Sequence, residues 1–241
     1  MKNPASKMGH NLTGAQMSPK DTERQLDAVK HYPPDVPGNP SQLMNARREM
    51  GAESGRIGSV PVPGSAKGML KSTFEKMLGK NPEVLINKLG ERLAYERTGV
   101  RLYEAALAKV HGLEKADPAL VTTLQDIRND EEEHFQLLVS ALEKLGADPT
   151  AVTPDADVVG VIAMGPMQVL TDPRTDIPQS LNALLTLELA DNAAWELLIE
   201  LSEQAHQKEI AANFKKALAQ EERHLETIKG LLREHMREAL S

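Results

Sequence analysis

The 241-residue chain contains no cysteine, and this absence excludes several classes of chemistry. Without cysteine there is no disulfide framework, no cysteine-ligated zinc or iron–sulfur site, and no thiol nucleophile. Any metal site must therefore use histidine, carboxylate or carbonyl ligands.

The chain also lacks a surplus of basic residues and a long apolar run. Its formal net charge is −7 and its pI is about 5.6, which argues against nucleic acid as a partner. The longest apolar run, residues 158–164, is far shorter than the roughly 20 residues of a membrane span. The N-terminal sequence MKNPASKMGHNLTG has no apolar core, so we expect no secretory signal. These observations predict a soluble, cytoplasmic protein with no membrane partner.

Proline and glycine are concentrated at the N-terminus. Residues 1–70 hold eight of the 15 prolines and eight of the 16 glycines. Such a segment buries too little apolar surface to offset its chain entropy, and only two short helices are predicted in it, at 19–29 and 41–50. We expect residues 1–66 to form an irregular or disordered extension, with docking on a neighbouring subunit as the alternative. Residues 67–241 are predicted to form the folded domain.

Four long helices are predicted after residue 81, and each has a recognisable start or stop signal. Asn81-Pro82 and Asp117-Pro118 place a capping residue before a proline, and Gly146 is a typical helix stop. The predicted ranges are 82–111, 118–145, a third helix that opens between Asp176 and Ser180 and ends at about 204, and a fourth at about 207–237, with shorter helices possible at 69–78 and 158–170.

The connections between these helices predict the topology. The first and third connections are short, whereas about 30 residues separate the second helix from the third. Helices of this length span about 40 Å at 1.5 Å per residue, so the long connection can travel the whole bundle. The sequence therefore predicts an all-α fold, a four-helix bundle of two antiparallel hairpins with a long crossover, plus the irregular N-terminal extension.

A carboxylate interrupts the apolar stripe of each long helix, in one zone of the bundle. These carboxylates belong to Glu96, Glu131, Glu188 and Glu221, and a histidine follows two of them at Glu-x-x-His spacing, at His134 and His224. A buried carboxylate costs several kcal/mol unless it is paired or metal-bound. Two divalent cations would neutralise the four carboxylates, and this oxygen-rich donor set suits iron or manganese better than closed tetrahedral zinc.

The two halves of the predicted bundle repeat one another. The set Glu96, Tyr103, Glu131, His134 recurs as Glu188, Trp195, Glu221, His224, at offsets of 92, 92, 90 and 90. A third Glu-x-x-His, formed by Glu203 and His206, is interpreted as a solvated helix end. The repeat therefore predicts one shared di-metal site; the alternative is a set of unrelated glutamates on helix surfaces.

This pattern resembles the ferritin-like superfamily of di-metal carboxylate proteins, which includes ferritins, bacterioferritins and rubrerythrins, over about residues 82–238. The resemblance implies terminal ligands at Glu96 and Glu188, bridging ligands at Glu131 and Glu221, and one imidazole ligand for each metal, from His134 and His224.

The resemblance also implies residues around the metals. Tyr103 stands where many members keep a tyrosine, and it would hydrogen-bond a bridging carboxylate or supply an electron; core packing is the alternative. Trp195 is expected to pack. A metal-bound histidine usually donates its other N–H to an acceptor, and Asp130 is the best candidate, with Gln220 at the matching place of the other half. Asp191 is expected either to contact the site or to make a solvated or helix–helix contact.

The chain departs from its relatives in three ways. The absence of cysteine excludes a rubredoxin-type iron centre. Bacterioferritins place a haem-ligating methionine directly after the glutamate of the second helix, where this chain has Glu132, so we expect no haem. The long N-terminal segment would argue against a 24-subunit cage if it lies on the surface used for subunit contacts.

The resemblance implies a function as well as a fold. We expect two iron ions and an oxidoreductase of the ferroxidase or peroxidase type, which oxidises Fe²⁺ and/or reduces O₂ or H₂O₂ in a homo-oligomer, a dimer or larger. The alternatives are a di-manganese catalase, an iron-storage or structural assembly protein, and a di-iron oxygenase acting on an organic substrate.

Overall fold

A computed structural model of the chain describes residues 13–36, 38–65, 68–69 and 81–241. The chain divides into two compact units, Met1–Arg56 and Ile57–Ser241. The described residues are helical or irregular and form no β-strand. Within them, no helix is both long enough and apolar enough to span a membrane. The domain boundary at residue 66 stays a prediction, and the helix predicted at 69–78 lies mostly outside the described residues.

The first unit contains two short helices, α1 (Pro19–His31) and α2 (Pro40–Glu53). Each begins at a proline, whose missing N–H costs nothing in the first turn. Neither helix buries a residue. They correspond to the two short helices that the sequence predicts at 19–29 and 41–50.

Six helices are described in the second unit. Four long ones match the predicted bundle helices, and two short ones lie in the long connection. They are α3 (Pro82–His111), α4 (Pro118–Leu145), α5 (Pro154–Ile162), α6 (Met164–Thr171), α7 (Ile177–Gln204) and α8 (Lys208–Leu240).

Local capping contacts explain where the long helices begin and end. Asp117 accepts a hydrogen bond from the backbone N–H of Ala119 at 2.9 Å. Asp176 and Gln179 form a reciprocal capping box at the start of α7. Gly146, with a φ of 80°, provides the left-handed residue that ends α4. These signals lie within a few residues of each helix end, which is why the sequence predicts the ends well.

Short turns make α3–α4 and α7–α8 antiparallel hairpins, and contacts of α3 with α7 and of α4 with α8 join them into one bundle. The crossover follows α3 from end to end. Thr153 donates to the carbonyl of Asn87 near the start of α3 at 3.2 Å, and Lys109 near its end donates to the carbonyl of Asp172 at 2.7 Å. The crossover thus returns the chain to the end where α4 began, and α4 and α7 run parallel, as predicted.

The crossover contains two helices where the sequence predicts one, at 158–170. The break falls at Ala163. Pro166 explains it, because proline has no N–H to offer the carbonyl of Ile162 and its ring crowds that carbonyl.

Two apolar clusters fill the bundle on either side of a polar zone. One includes Leu102, Leu124 and Leu184, and the other includes Leu89, Leu138 and Phe214. The residues that lie between these positions in each long helix form the site described next.

Candidate metal centre

Four buried carboxylates, one from each long helix, meet between the two apolar clusters. They belong to Glu96 of α3, Glu131 of α4, Glu188 of α7 and Glu221 of α8, and each residue is 0% exposed. His134 and His224 follow one helical turn after two of them and are 2% and 3% exposed. The structure thus brings together all six residues that the sequence proposes as ligands; that they bind metal stays a prediction.

Each histidine turns its Nδ1 atom toward the carboxylates. Nδ1 of His134 lies 2.6 Å from Oε1 of Glu221 and 3.7 Å from Oε2 of Glu96. Nδ1 of His224 lies 3.3 Å from Oε2 of Glu221 and 3.9 Å from Oε2 of Glu188. Glu221 therefore lies between the two imidazoles.

The potential ligand atoms form three overlapping groups, within each of which all atoms lie within 4.8 Å of one another. One group, here called the Glu96 position, consists of Glu96, His134 and Glu221. The second, here called the Glu188 position, consists of Glu131, Glu188, Glu221 and His224, and the third consists of Glu96, Glu131, Asp191 and Glu221. Because Glu221 belongs to both positions, its carboxylate can bridge two cations.

The Nε2 atoms of the histidines point away from the cluster and find different partners. Nε2 of His224 lies 2.9 Å from Oδ2 of Asp130, and Nε2 of His134 lies 3.2 Å from Oε1 of Gln220. The Gln220 amide in turn donates to Oδ1 of Asp130 at 3.1 Å. Both acceptors are the residues expected from the sequence, but each accepts from the histidine of the opposite hairpin.

The comparison that relates this chain to a known protein is a comparison of structures. The chain matches no protein-family model and no curated protein. It is similar to the crystal structure of a ferritin-like, diiron-carboxylate protein from Bacillus anthracis strain Ames, at 22% identity and a TM-score of 0.50, over 62% of this chain and 96% of that one. The chain has a ferritin-like fold. At this level of identity the likeness carries the fold alone, so the activity must be argued from the site.

In this ferritin-like chain, Tyr103 donates a short hydrogen bond to Glu188. The expected partner of Tyr103 was a bridging carboxylate, whereas Glu188 is one of the proposed terminal ligands. Burial raises the pKa of Tyr103 well above its usual range, and the Glu188 carboxylate raises it further. The phenol is therefore protonated and serves as a donor at neutral pH; its catalytic role stays a prediction.

Arg92 is a charged member of the site that the sequence analysis does not identify. It is 4% exposed, and it forms ion pairs with Glu96 at 2.9 Å and with Asp191 at 2.8 Å. Asp191 is fully buried, so its solvated alternative is wrong and the helix–helix contact is present. It also lies within 4.8 Å of Glu96, Glu131 and Glu221. The sequence did contain a signal for Arg92, since it precedes Glu96 by one helical turn and so shares a helix face with it.

Gly99 provides the space that the Glu131 carboxylate occupies. A Cβ atom at this residue would lie 2.0 Å from Oε2 of Glu131. Gly99 is buried, whereas its neighbour Val100 is only partly so. A glycine one turn after Glu96 was the signal for this close approach.

Trp195 packs as expected, and it does so against the site. Its ring meets His134 edge-on at a centroid distance of 5.6 Å and Phe214 at 5.2 Å. Asn192, one helical turn after Glu188 on α7, donates to the backbone carbonyls of Glu188 at 2.9 Å and Glu221 at 3.1 Å. These contacts help to fix α7 against α8 beside the cluster.

Burial and mutual repulsion dominate the electrostatics of the cluster. Burial raises the pKa of Glu131 well above its usual range, and the charge of Glu221 raises it further. The pKa values of Glu96 and Glu188 are likewise raised, first by burial. Burial raises the pKa of Glu221 too, but the hydrogen bonds and the charges of the two histidines together outweigh burial and hold this pKa at about 2.

The same contacts that lower the pKa of Glu221 raise the pKa values of the two histidines. Burial lowers the pKa of His134 and of His224, but the hydrogen bond with Glu221 and the charges of the neighbouring carboxylates together outweigh it and raise both pKa values above the ordinary range. Both nitrogens of each ring face an acceptor, as a protonated imidazole requires. A metal at Nδ1 would replace that proton.

These residues fit a pair of divalent cations. Both oxygens of Glu131 are buried without a hydrogen-bond partner, which costs free energy that a cation would recover. The donor set, carboxylate oxygens with two imidazoles, is typical of iron and manganese sites. In contrast, Glu203 and His206 are exposed and Glu203 pairs with Lys215, so they stand apart from the centre.

Proposed function

We propose that this chain is a di-iron carboxylate protein that oxidises Fe²⁺ and/or reduces O₂ or H₂O₂. The observation that carries the proposal is the pair of buried ligand groups sharing Glu221, set in a ferritin-like fold. Glu96 and Glu188 would be terminal ligands, Glu131 and Glu221 would bridge, and one histidine would complete each metal.

Charge balance supports two divalent ions. The buried zone holds the four glutamates, Asp191 and one cation, Arg92, which gives −5 + 1 = −4 when the carboxylates are ionised. Two divalent cations supply the opposite charge. Without them, the raised pKa values show that the carboxylates hold protons instead.

A bound iron pair would supply the electrons that O₂ or H₂O₂ takes up. The surrounding residues would control access and orientation. The two apolar clusters exclude bulk water from both sides of the cluster. Tyr103 holds Glu188 through a hydrogen bond, and Asp130 and Gln220 hold the two imidazoles with their Nδ1 atoms turned inward.

The test is metal stoichiometry followed by turnover. Metal-free protein is loaded with Fe²⁺ without oxygen, the bound iron per chain is measured, and oxidation is followed after O₂ is added. We expect two iron ions per chain and oxidation faster than that of free Fe²⁺. A chain that binds no iron under these conditions would show the proposal to be wrong.

The alternatives give different results in the same preparation. A di-manganese catalase would evolve O₂ from H₂O₂ after loading with Mn²⁺, whereas a storage protein would take up many more than two irons per chain. An oxygenase would oxidise Fe²⁺ but consume O₂ in proportion to an added organic substrate. Light scattering tests the expected homo-oligomer and separates a dimer from a closed shell.

A further inference from the structure

The two metal positions differ in the ligands assembled around their imidazoles. The group that includes His224 has four residues with ligand atoms within 4.8 Å of one another, whereas the group that includes His134 has three, and the second group around Glu96 contains no histidine. A first cation therefore finds an imidazole and three carboxylates in place together at the Glu188 position.

The outer hydrogen bonds of the two imidazoles differ in charge. His224 faces the carboxylate of Asp130, whereas His134 faces the neutral amide of Gln220. The amide orientation follows from its bond to Asp130, because the opposite orientation would set its oxygen against the carboxylate. A carboxylate partner makes an imidazole a stronger donor to a metal, and such outer partners change metal affinity by about 10–100-fold.

The terminal carboxylates also have different neighbours. Glu188 accepts a hydrogen bond from the neutral Tyr103, whereas Glu96 pairs with the guanidinium of Arg92, which withdraws negative charge from it. Asp191 favours the Glu96 position, since its carboxylate lies near Glu96, whereas Glu131 belongs to groups around both Glu96 and Glu188. Arg92 faces Asp191 at 2.8 Å, so the Arg92–Asp191 pair is neutral as a unit.

We propose that the two positions are inequivalent, that the first divalent cation binds at the Glu188 position, and that Asp130 is the positioning residue that creates most of this preference. The inference rests on the proposed function, since it requires that both positions bind metal. It makes loading sequential: the Glu188 position is filled first, and the Glu96 position receives the second ion.

The test uses Co²⁺ as the probe, because its bound form is visible by absorption and by anomalous scattering. Metal-free protein is titrated with Co²⁺ by calorimetry, and crystals grown with one equivalent per chain give the anomalous occupancy of each position. We expect two binding steps at least about 10-fold apart in affinity, with the first equivalent at the Glu188 position.

Two variants test the role of Asp130. Asp130→Asn should bring the two affinities closer together, and the double exchange of Asp130→Asn with Gln220→Glu should make the Glu96 position the tighter one. Glu133→Gln is the matched control, since Glu133 is exposed on the same helix, and it should leave the occupancy ratio unchanged.

Each outcome bears on the inference separately from the proposed function. Equal occupancy in the wild-type chain, or first occupancy at the Glu96 position, would overturn the inference while leaving a di-metal site in place. An unchanged ratio in both Asp130 variants would overturn the role of Asp130. Absence of Co²⁺, Mn²⁺ and Fe²⁺ from both positions would instead overturn the proposed function.

Discussion

At the scale of single residues, the centre is built from groups that are unfavourable without their ligand. Glu131 is fully buried, neither of its oxygens has a hydrogen-bond partner, and burial raises its pKa. A carboxylate in this environment destabilises the metal-free fold, and it stabilises the protein only when a cation is bound. Stability and metal binding should therefore respond in opposite directions to its removal.

Replacing the Glu131 carboxylate tests this opposition. In metal-free Glu131→Gln, we expect the free energy of unfolding at pH 7 to rise by about 1–4 kcal/mol, because a buried ionisable group is lost. Metal binding should fall to less than one ion per chain. Urea denaturation and metal analysis measure the two effects.

The control is Glu133→Gln, two residues along the same helix and exposed. It should change stability by less than about 0.5 kcal/mol and leave the metal content unaltered. Full metal content in Glu131→Gln would show that Glu131 is not a ligand.

Gly99 allows a second test, in which no ligand is removed. In Gly99→Ala, the new methyl group would take the place of Oε2 of Glu131, so the carboxylate must move and metal affinity should fall at least about 10-fold. The helix itself gains about 0.5–1 kcal/mol from alanine, so the metal-free fold should persist. Titration with Mn²⁺ and thermal denaturation measure these effects.

Gly230→Ala is the matched control for this substitution. Gly230 is a helical residue of α8, and a Cβ there would meet no atom within 4 Å. We expect the same gain in helix stability and an unchanged Mn²⁺ affinity. Equal Mn²⁺ affinities in the two glycine variants would contradict the close approach at Gly99.

At the scale of elements, a buried ion pair connects the two hairpins. Arg92 of α3 and Asp191 of α7 lie 2.8 Å apart at side-chain exposures of 4% and 0%. Pairs of this kind stabilise less than their geometry suggests, because both ions lose their hydration. Removal of one partner is costly, since the other charge is left buried and unpaired.

A double-mutant cycle tests this account of the pair. Arg92→Met should lower the free energy of unfolding by about 3–5 kcal/mol, because Asp191 then lacks its cation. The double variant with Asp191→Leu should recover most of that loss, since an apolar pair needs no hydration. Chemical denaturation of all four metal-free proteins measures the coupling, and additive losses would indicate that the two residues act independently.

The turns and caps show that nearby residues in the sequence determine where each helix begins and ends. The ends of α3, α4 and α7 agree closely with the prediction, because Pro82, Asp117, Gly146 and Asp176 act within a few residues of their own position. The crossover was predicted less well, since its break at Ala163 depends on Pro166, which also fits the first turn of a helix.

At the scale of the whole molecule, the metal-free bundle is expected to be more stable at acidic pH than at neutral pH. The folded-state pKa values of Glu96, Glu131 and Glu188 are raised, each first by burial. Their carboxyl groups hold protons in the folded state that the unfolded chain has released. The raised pKa values of the two histidines act in the same direction at higher pH.

The sign of the pH dependence follows from this proton count. Each proton held only by the folded state lowers the free energy of unfolding by about 1.4 kcal/mol per pH unit as pH rises. We expect metal-free protein to lose stability from about pH 5 to about pH 8, as measured by thermal denaturation. Glu221 stabilises the fold equally across this pH window, because its carboxylate, with a pKa of about 2, is ionised throughout it.

Bound metal should reverse the trend, because cations displace the same protons. The increase in melting temperature on adding Mn²⁺ should therefore grow from about pH 5 to about pH 8. Stability of the metal-free protein that rises with pH would contradict the assignment of raised pKa values to the cluster.

The sequence by itself determined the long helices, their pairing into two hairpins and the six residues of the cluster. Helical periodicity and local caps are short-range properties, so the sequence shows the helices and their ends directly. The repeat of Glu-x-x-His in the two halves indicated the six residues of the cluster. The fold prediction is confirmed by the likeness to a solved ferritin-like protein. The metal content remains a proposal.

Only the tertiary structure decided which residues surround the cluster and how they are connected. Asp130 meets His224 across 94 residues, and Tyr103 meets Glu188 across 85. Such contacts depend on the relative rotation and height of whole helices, which the packing of the two apolar clusters sets. No local pattern encodes that rotation, so the sequence could nominate Asp130 as an acceptor but could not assign it to the opposite hairpin.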